Sequence, residues 1–173
     1  MRLVVLAVAL ALAAEARAEP GVNVFASGDK AITEGETVID GDPRDVYETM
    51  LDYRRWTDVF PDVAQVVVTR QTGSEARVTL VARDGHHDNL HFKNRPGSHV
   101  VWFEDTGSKH AEVWAEIAFA PGARPATTRV HARLYARVHG WASLVVRSGH
   151  VRREREAKVA RDLASIRAYF RRR

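Results

Sequence analysis

The sequence contains no cysteine, which excludes disulfide bonds, a thiol nucleophile and thiolate metal ligands. It has no glycine-rich phosphate loop, no Gly-x-Ser-x-Gly elbow and no His-Glu-x-x-His sequence, so the commonest motif-borne hydrolytic chemistries are not expected. Beyond Ala14 no apolar run approaches the roughly 20 residues that a membrane-spanning helix requires. Low-complexity tracts are missing as well. What remains is a chain of 173 residues, 45% hydrophobic, enough for one ordinary core.

The N-terminus has a character of its own. Arg2 supplies a positive start, Leu3 to Ala14 is apolar, and Ala16-Arg17-Ala18 has the small-x-small form of a signal peptidase site. Residues 1–18 therefore read as a secretory signal cleaved after Ala18, and the mature protein is expected to be exported, periplasmic or secreted. Residues 19–28 are small and polar, as in a linker. The formal net charge of the whole chain is a modest +4. Much of the positive charge lies late in the chain, at Arg147, Arg152, Arg153, Arg155, Lys158, Arg161, Arg167 and Arg171 to Arg173. This charge fits either a solvated helix face or peripheral contact with an anionic membrane surface. Nucleic acid is not expected as a partner, because no aromatic residues interleave with these arginines for stacking.

Between Lys30 and Val138 the periodicity is that of strands, with one interruption. A first strand through Ile32, Val38 and Ile39 ends at Asp40-Gly41-Asp42. Asp42 then caps a helix whose first position is Pro43, and Val46 and Met50 share a face. Pro61 closes a second, shorter helix that carries Trp56 and Phe60. Segments 63–70, 76–83, 86–94, 100–104, 112–119 and 130–138 follow as antiparallel strands. For the last two a register is predicted: Glu116 opposite Arg133, Trp114 opposite Tyr135, Glu112 opposite Arg137, all on the solvent face. After Gly140 the period becomes helical, and Leu144, Ser148, Val151, Val159, Leu163, Ile166 and Phe170 form a stripe. The expectation is an α+β fold, a curved antiparallel sheet of about seven strands wrapped around a long C-terminal helix. Two short helices follow the first strand, and a cavity lies between sheet and long helix.

The run Asp42-Pro43…Val46-Tyr47…Met50-Leu51-Asp52…Trp56…Phe60-Pro61-Asp62-Val63, together with this element order, resembles the START-like superfamily. This is the SRPBCC or birch-pollen-allergen-like helix-grip group, here its polyketide cyclase/dehydrase and lipid transport branch with the coenzyme Q binding proteins. The resemblance covers residues 29–171. It implies a binding protein for a hydrophobic or amphipathic small molecule such as a lipid or isoprenoid, held in the cavity without a cofactor. Two alternatives stay open: a cyclase or dehydratase acting on a polyketide-like substrate, and a degenerate domain with a protein-interaction role.

Met50, Trp56, Phe60, Leu80, Leu90, Phe92, Ile117, Leu134 and Val151 are the candidate lining of that cavity or its mouth. Trp56 and Phe60 also fit plain core positions. His86, His87 and His91 crowd into one hairpin with Asp84 and Asp88, yet His87 and His91 fall opposite Leu90 and Phe92 and so should point outward. No metal is expected there. No catalytic residue is assigned: a cyclase needs an ionisable group on the cavity face, and the inward faces read as apolar. Tyr47, Asp52, Tyr53 and Glu104 have no side assigned, with Asp52 expected to cap the second helix.

Overall fold

The computed structural model describes residues 21–95, 97–140 and 148–173. The expected signal peptide, and Leu144 with the expected beginning of the last helix, lie outside the described residues. In chain order the elements are β1 (Val22–Ala26), β2 (Ile32–Asp40), α1 (Pro43–Leu51), a 3-10 turn (Tyr53–Arg55), α2 (Trp56–Val59), β3 (Val63–Gln71), β4 (Glu75–Ala82), β5 (His87–Lys93), β6 (Val100–Asp105), β7 (Ala111–Pro121), β8 (Thr127–Val138) and α3 (Ser148–Arg171). The eight strands form one curved antiparallel sheet in the order β1-β2-β8-β7-β6-β5-β4-β3. Among the described residues no helix is long and apolar enough to cross a membrane.

Two expectations need correction. Part of the expected linker is strand β1, which pairs with β2 from Val22↔Thr37 to Ala26↔Thr33. Its five residues are too few for alternation to show, and only Val22 is fully buried, so the periodicity there is weak. The sheet accordingly has eight strands rather than about seven, and the two short helices follow β2.

Local chemistry explains the first helix. Asp42 accepts a hydrogen bond from the Arg44 amide at 2.9 Å, Pro43 occupies the first turn, and Val46 and Met50 are buried. Trp56 turns back over this helix and donates its indole N–H to the Met50 carbonyl at 3.0 Å. Its ring meets Phe92 edge-on at 5.3 Å, while Tyr53 lies 4.3 Å from Phe92, and Phe103 stands 5.0 Å from the same ring. α1 and α2 thus seal one end of the sheet's inner face with aromatic packing.

The β7–β8 register follows the charge and aromatic pairing read from the sequence. Glu116↔Arg133, Trp114↔Tyr135 and Glu112↔Arg137 are opposite one another. The Trp114 and Tyr135 rings stack at 5.3 Å with planes 6° apart, and Arg133 reaches Glu116 at 3.6 Å. Glu112 turns instead to the Tyr135 hydroxyl, which donates to it at 3.3 Å, and to His139 at 3.8 Å.

α3 lies across β1, β2 and β8, with Val159, Leu163 and Ile166 buried against them. Gly35 makes this approach possible: a Cβ there would stand 2.7 Å from Val159 Cγ1 and 2.9 Å from Leu163 Cδ1. Arg155 belongs to this contact and not to the solvated face. It is 6% exposed and donates to Lys30 O at 2.7 Å, Ala136 O at 3.0 Å and Thr33 Oγ1 at 3.2 Å. The guanidinium fork suits three oxygens converging from two strand ends and a turn, which charge counting along the sequence cannot reveal.

Candidate functional site: the groove between sheet and C-terminal helix

Strand pairing fixes which residues face α3. Leu80 lies opposite Asp88, Leu90 opposite Asp105, Phe92 opposite Phe103 and Phe103 opposite Ala115, so these positions share the inner face. Toward α1 and α2 this face is buried at Ala76, Val78, Phe92, Val101, Ile117 and Phe119. Toward the other end it opens, and Leu80, Asp88, Phe103, Asp105 and Val113 are only half-buried. Val151, Lys158 and Asp162 of α3, also half-buried, stand on the stripe beside the one that grips β2. Because α3 packs on β1, β2 and β8, we take the space between these helix residues and the β4–β6 part of the sheet as the candidate groove.

The candidate lining residues separate into two groups. Met50, Trp56 and Phe92 are sealed in the aromatic core, at 0 to 3% exposure, and Leu90, Ile117 and Leu134 are buried in the sheet's inner layer. Phe60 sits half-buried on the aromatic cluster, 5.0 Å from Trp56. Leu80, on the inner face of the sheet, and Val151, on α3, are half-buried.

The inner face is not wholly apolar, and this corrects the sequence reading. Asp88 lies on it, in the same alternation as Leu90 and Phe92, with His86 Nε2 at 3.0 Å from its Oδ1. Burial raises the Asp88 pKa above the usual aspartate range and the Asp105 charge adds to this, while His86 and Lys158 oppose it. Lys158 forms an i,i+4 ion pair with Asp162, at 3.0 and 3.2 Å from its two carboxylate oxygens. Asp162, outweighing burial, holds the Lys158 ammonium above its usual pKa, and Asp88 contributes from across the groove. The Lys158 side chain nevertheless keeps 45% of its surface, and that of Asp88 44%, so both line an open recess. Neither Lys158 nor Arg155 therefore belongs to the outer basic face to which the sequence reading assigned them. The signal for Asp88 was present, since residues two apart on a strand share a face. That for Lys158 and Asp162 was not, because it depends on how α3 rolls against the sheet.

The unassigned residues also find places. Tyr47 is buried with its ring 5.6 Å from His99 and 6.2 Å from Phe119, and burial raises its pKa. Tyr53 is 1% exposed and accepts from Asn94 Nδ2 at 2.7 Å; burial pushes its pKa up to about 12. Asp52 stands at the N-cap of the 3-10 turn without a side-chain capping bond, contrary to expectation. It accepts instead from Arg55 Nε at 2.8 Å. Glu104 is on the convex face, where His91 Nδ1 and Lys93 Nζ each approach it at 3.2 Å. His87 is exposed, and among the described residues no three His, Asp or Glu side chains converge to hold a metal.

Two further recesses, of about 390 and 270 Å³, lie away from this groove. The larger is bordered by Asp45, Glu48, Thr49, Asp52, Arg55 and Arg173, the smaller by Gly21, Asn23, Glu36, Thr37, Val38 and Arg167. The lining of the larger is mainly polar, and the smaller is bordered by polar and charged residues with Val38 and Gly21.

A strongly curved sheet gripping one C-terminal helix, with two short helices closing an end, is also the architecture of known solved structures. A START superfamily protein from Mycobacterium smegmatis superposes with a TM-score of 0.66 at 10% identity, covering 82% of this chain and 97% of that one. The fold is START-like. A STAR-related lipid transfer protein from Xanthomonas axonopodis matches this START-like fold with a TM-score of 0.66 and 17% identity, over 90% of this chain and 97% of its own. The Zhui aromatase/cyclase of a Streptomyces species gives a TM-score of 0.66 and 15% identity, over 88% and 95%. At these identities the likeness establishes the START-like fold and not the ligand. No family model and no curated protein matches the sequence.

Proposed function

We propose that this START-like protein binds a hydrophobic or amphipathic small molecule, such as a lipid or isoprenoid, in the groove between β4–β6 and α3. The observation that carries this is the half-buried apolar wall of Leu80, Phe103 and Val113 on a sheet face that is buried toward α1 and α2, with the half-buried Val151 on α3. Apolar surface left open on a concave face gains roughly 25 cal/mol per Å² when a ligand covers it. The names of the lipid transfer and aromatase/cyclase relatives agree with a hydrophobic ligand. Native mass spectrometry after incubation with mixed phospholipids and isoprenoid alcohols is expected to show 1:1 adducts, lost in Leu80→Glu and Val113→Glu. Folded wild-type protein that retains no adduct under any of these conditions defeats the proposal.

A second reading is acid–base chemistry on a bound polyketide-like substrate, favoured by Asp88 beside His86 within the groove. Turnover of a bound polyketide mimic that survives Asp88→Asn and His86→Gln would remove it. We further propose export, on the strength of the apolar leader and the Ala16-Arg17-Ala18 site. An intact mass short by residues 1–18 in periplasmic or culture-medium material is the expected result, and a full-length mass there counts against it. The exposed arginines of α3, Arg152, Arg153, Arg161 and Arg171 to Arg173, support peripheral contact with anionic membranes.

A further inference from the structure

The groove has a polar end as well as an apolar wall. Asp88, His86 and Asp105 enter it from β5, its preceding turn and β6, and Lys158 with Asp162 from α3. Lys158 and Asp88 attract each other across the gap, each favouring the other's charged form, while their nearest hydrogen-bonding partners are Asp162 and His86 respectively. Building on the groove reading, we infer that this cluster is a head-group subsite that accepts an uncharged hydrogen-bonding group, a hydroxyl or a ketone, and disfavours a carboxylate.

Charge balance gives the reason. The Lys158 ammonium is already matched by Asp162, and the Arg161 guanidinium that also acts on it is exposed to solvent, so the charge on offer within the recess is balanced. Asp88 and Asp105 add two more carboxyl groups on the sheet side, Asp88 with His86 beside it and Asp105 accepting from the Gly107 amide at 2.8 Å. A ligand carboxylate entering here would meet like charge in a partly desolvated recess, which is costly. A hydroxyl meets no such barrier and finds both kinds of partner. The ammonium has three N–H donors and a half-open side chain, and the second Asp88 oxygen has no hydrogen bond among the described residues. The apolar wall at Leu80, Phe103 and Val113 lies beside the cluster on the same face, so one molecule with a tail and a neutral head can reach both.

The test compares 1-dodecanol with dodecanoate, equal in chain length, by calorimetry at pH 8 on the mature protein, and reads the ratio of their affinities. An apolar tail favours the alcohol in any greasy site, so the variants carry the decision. Asp88→Asn is expected to narrow the alcohol-to-carboxylate ratio by about tenfold, the equivalent of about 1.4 kcal/mol of relieved repulsion. Lys158→Met, which leaves Asp162 unmatched, is expected to widen the ratio. Asp58→Asn, an exposed carboxylate on α2, should leave it unchanged. Both ligands binding with a ratio that neither groove variant moves overturns the subsite and leaves the groove reading standing. Neither ligand binding overturns both. Should Asp88→Asn fail to fold, the direction of change in Lys158→Met decides alone.

Discussion

Asp88 shows how one residue can set conflicting demands. Its place on the inner face raises its pKa, chiefly by burial, so its charged form is less favourable in the folded protein than in the unfolded chain. The stability it allows is present below the usual aspartate range and is lost as pH rises through its raised pKa. Asp88→Asn removes that loss. The variant is therefore expected to gain stability relative to wild type on going from pH 4 to pH 8 in urea unfolding. An unchanged difference between the two pH values would mean that Asp88 ionises as it does in the unfolded chain. Trp56 is the opposite case. With 3% exposure and its N–H bonded to Met50 O, it packs within the aromatic core.

At the level of elements, α3 is held by one polar clamp and one close approach. Arg155 satisfies the carbonyls of Lys30 and Ala136 with a charged donor, and hydrogen bonds to charged groups contribute about 1.5–3 kcal/mol each. Arg155→Ala is accordingly expected to cost about 3 kcal/mol, the carbonyls left unpaired adding to the lost bonds. Arg155→Lys, which cannot fork to three oxygens, should recover only part of it. Thermal unfolding by circular dichroism reads both, and an Arg155→Ala variant as stable as wild type would show that the clamp is idle. Gly35 works beside it, since its missing side chain lets Val159 and Leu163 settle on β2.

At the scale of the molecule, the sheet closes by pairing distant strands, with Thr33 of β2 opposite Leu134 of β8. This brings the last helix over the first strands and leaves the β4–β6 side of the inner face open to it only across the groove. The same placement sorts the basic residues of α3. Arg155 and Lys158 turn inward, whereas Arg152, Arg153, Arg161 and Arg171 to Arg173 remain on the surface. Flotation with phosphatidylglycerol vesicles is expected to carry wild-type protein and to fail for Arg152→Glu/Arg153→Glu/Arg161→Glu, with phosphatidylcholine vesicles carrying neither. Equal flotation of both proteins would remove the membrane proposal.

The sequence alone determined the order of elements from β2 onward, the cap at Asp42 and the β7–β8 register. Each of these rests on neighbours in the chain, or on a pairing between adjacent strands whose charges and aromatic rings have one good alignment. Tertiary structure alone decided the existence of β1, whose five residues carry too little pattern. It also decided the inward turn of Arg155 and Lys158, because a helix's roll depends on the surface it packs against. The polar end of the groove was legible only in part. Alternation places Asp88 with Leu90 and Phe92, but a lone aspartate on an apolar face becomes a site only when the fold brings Lys158 opposite it.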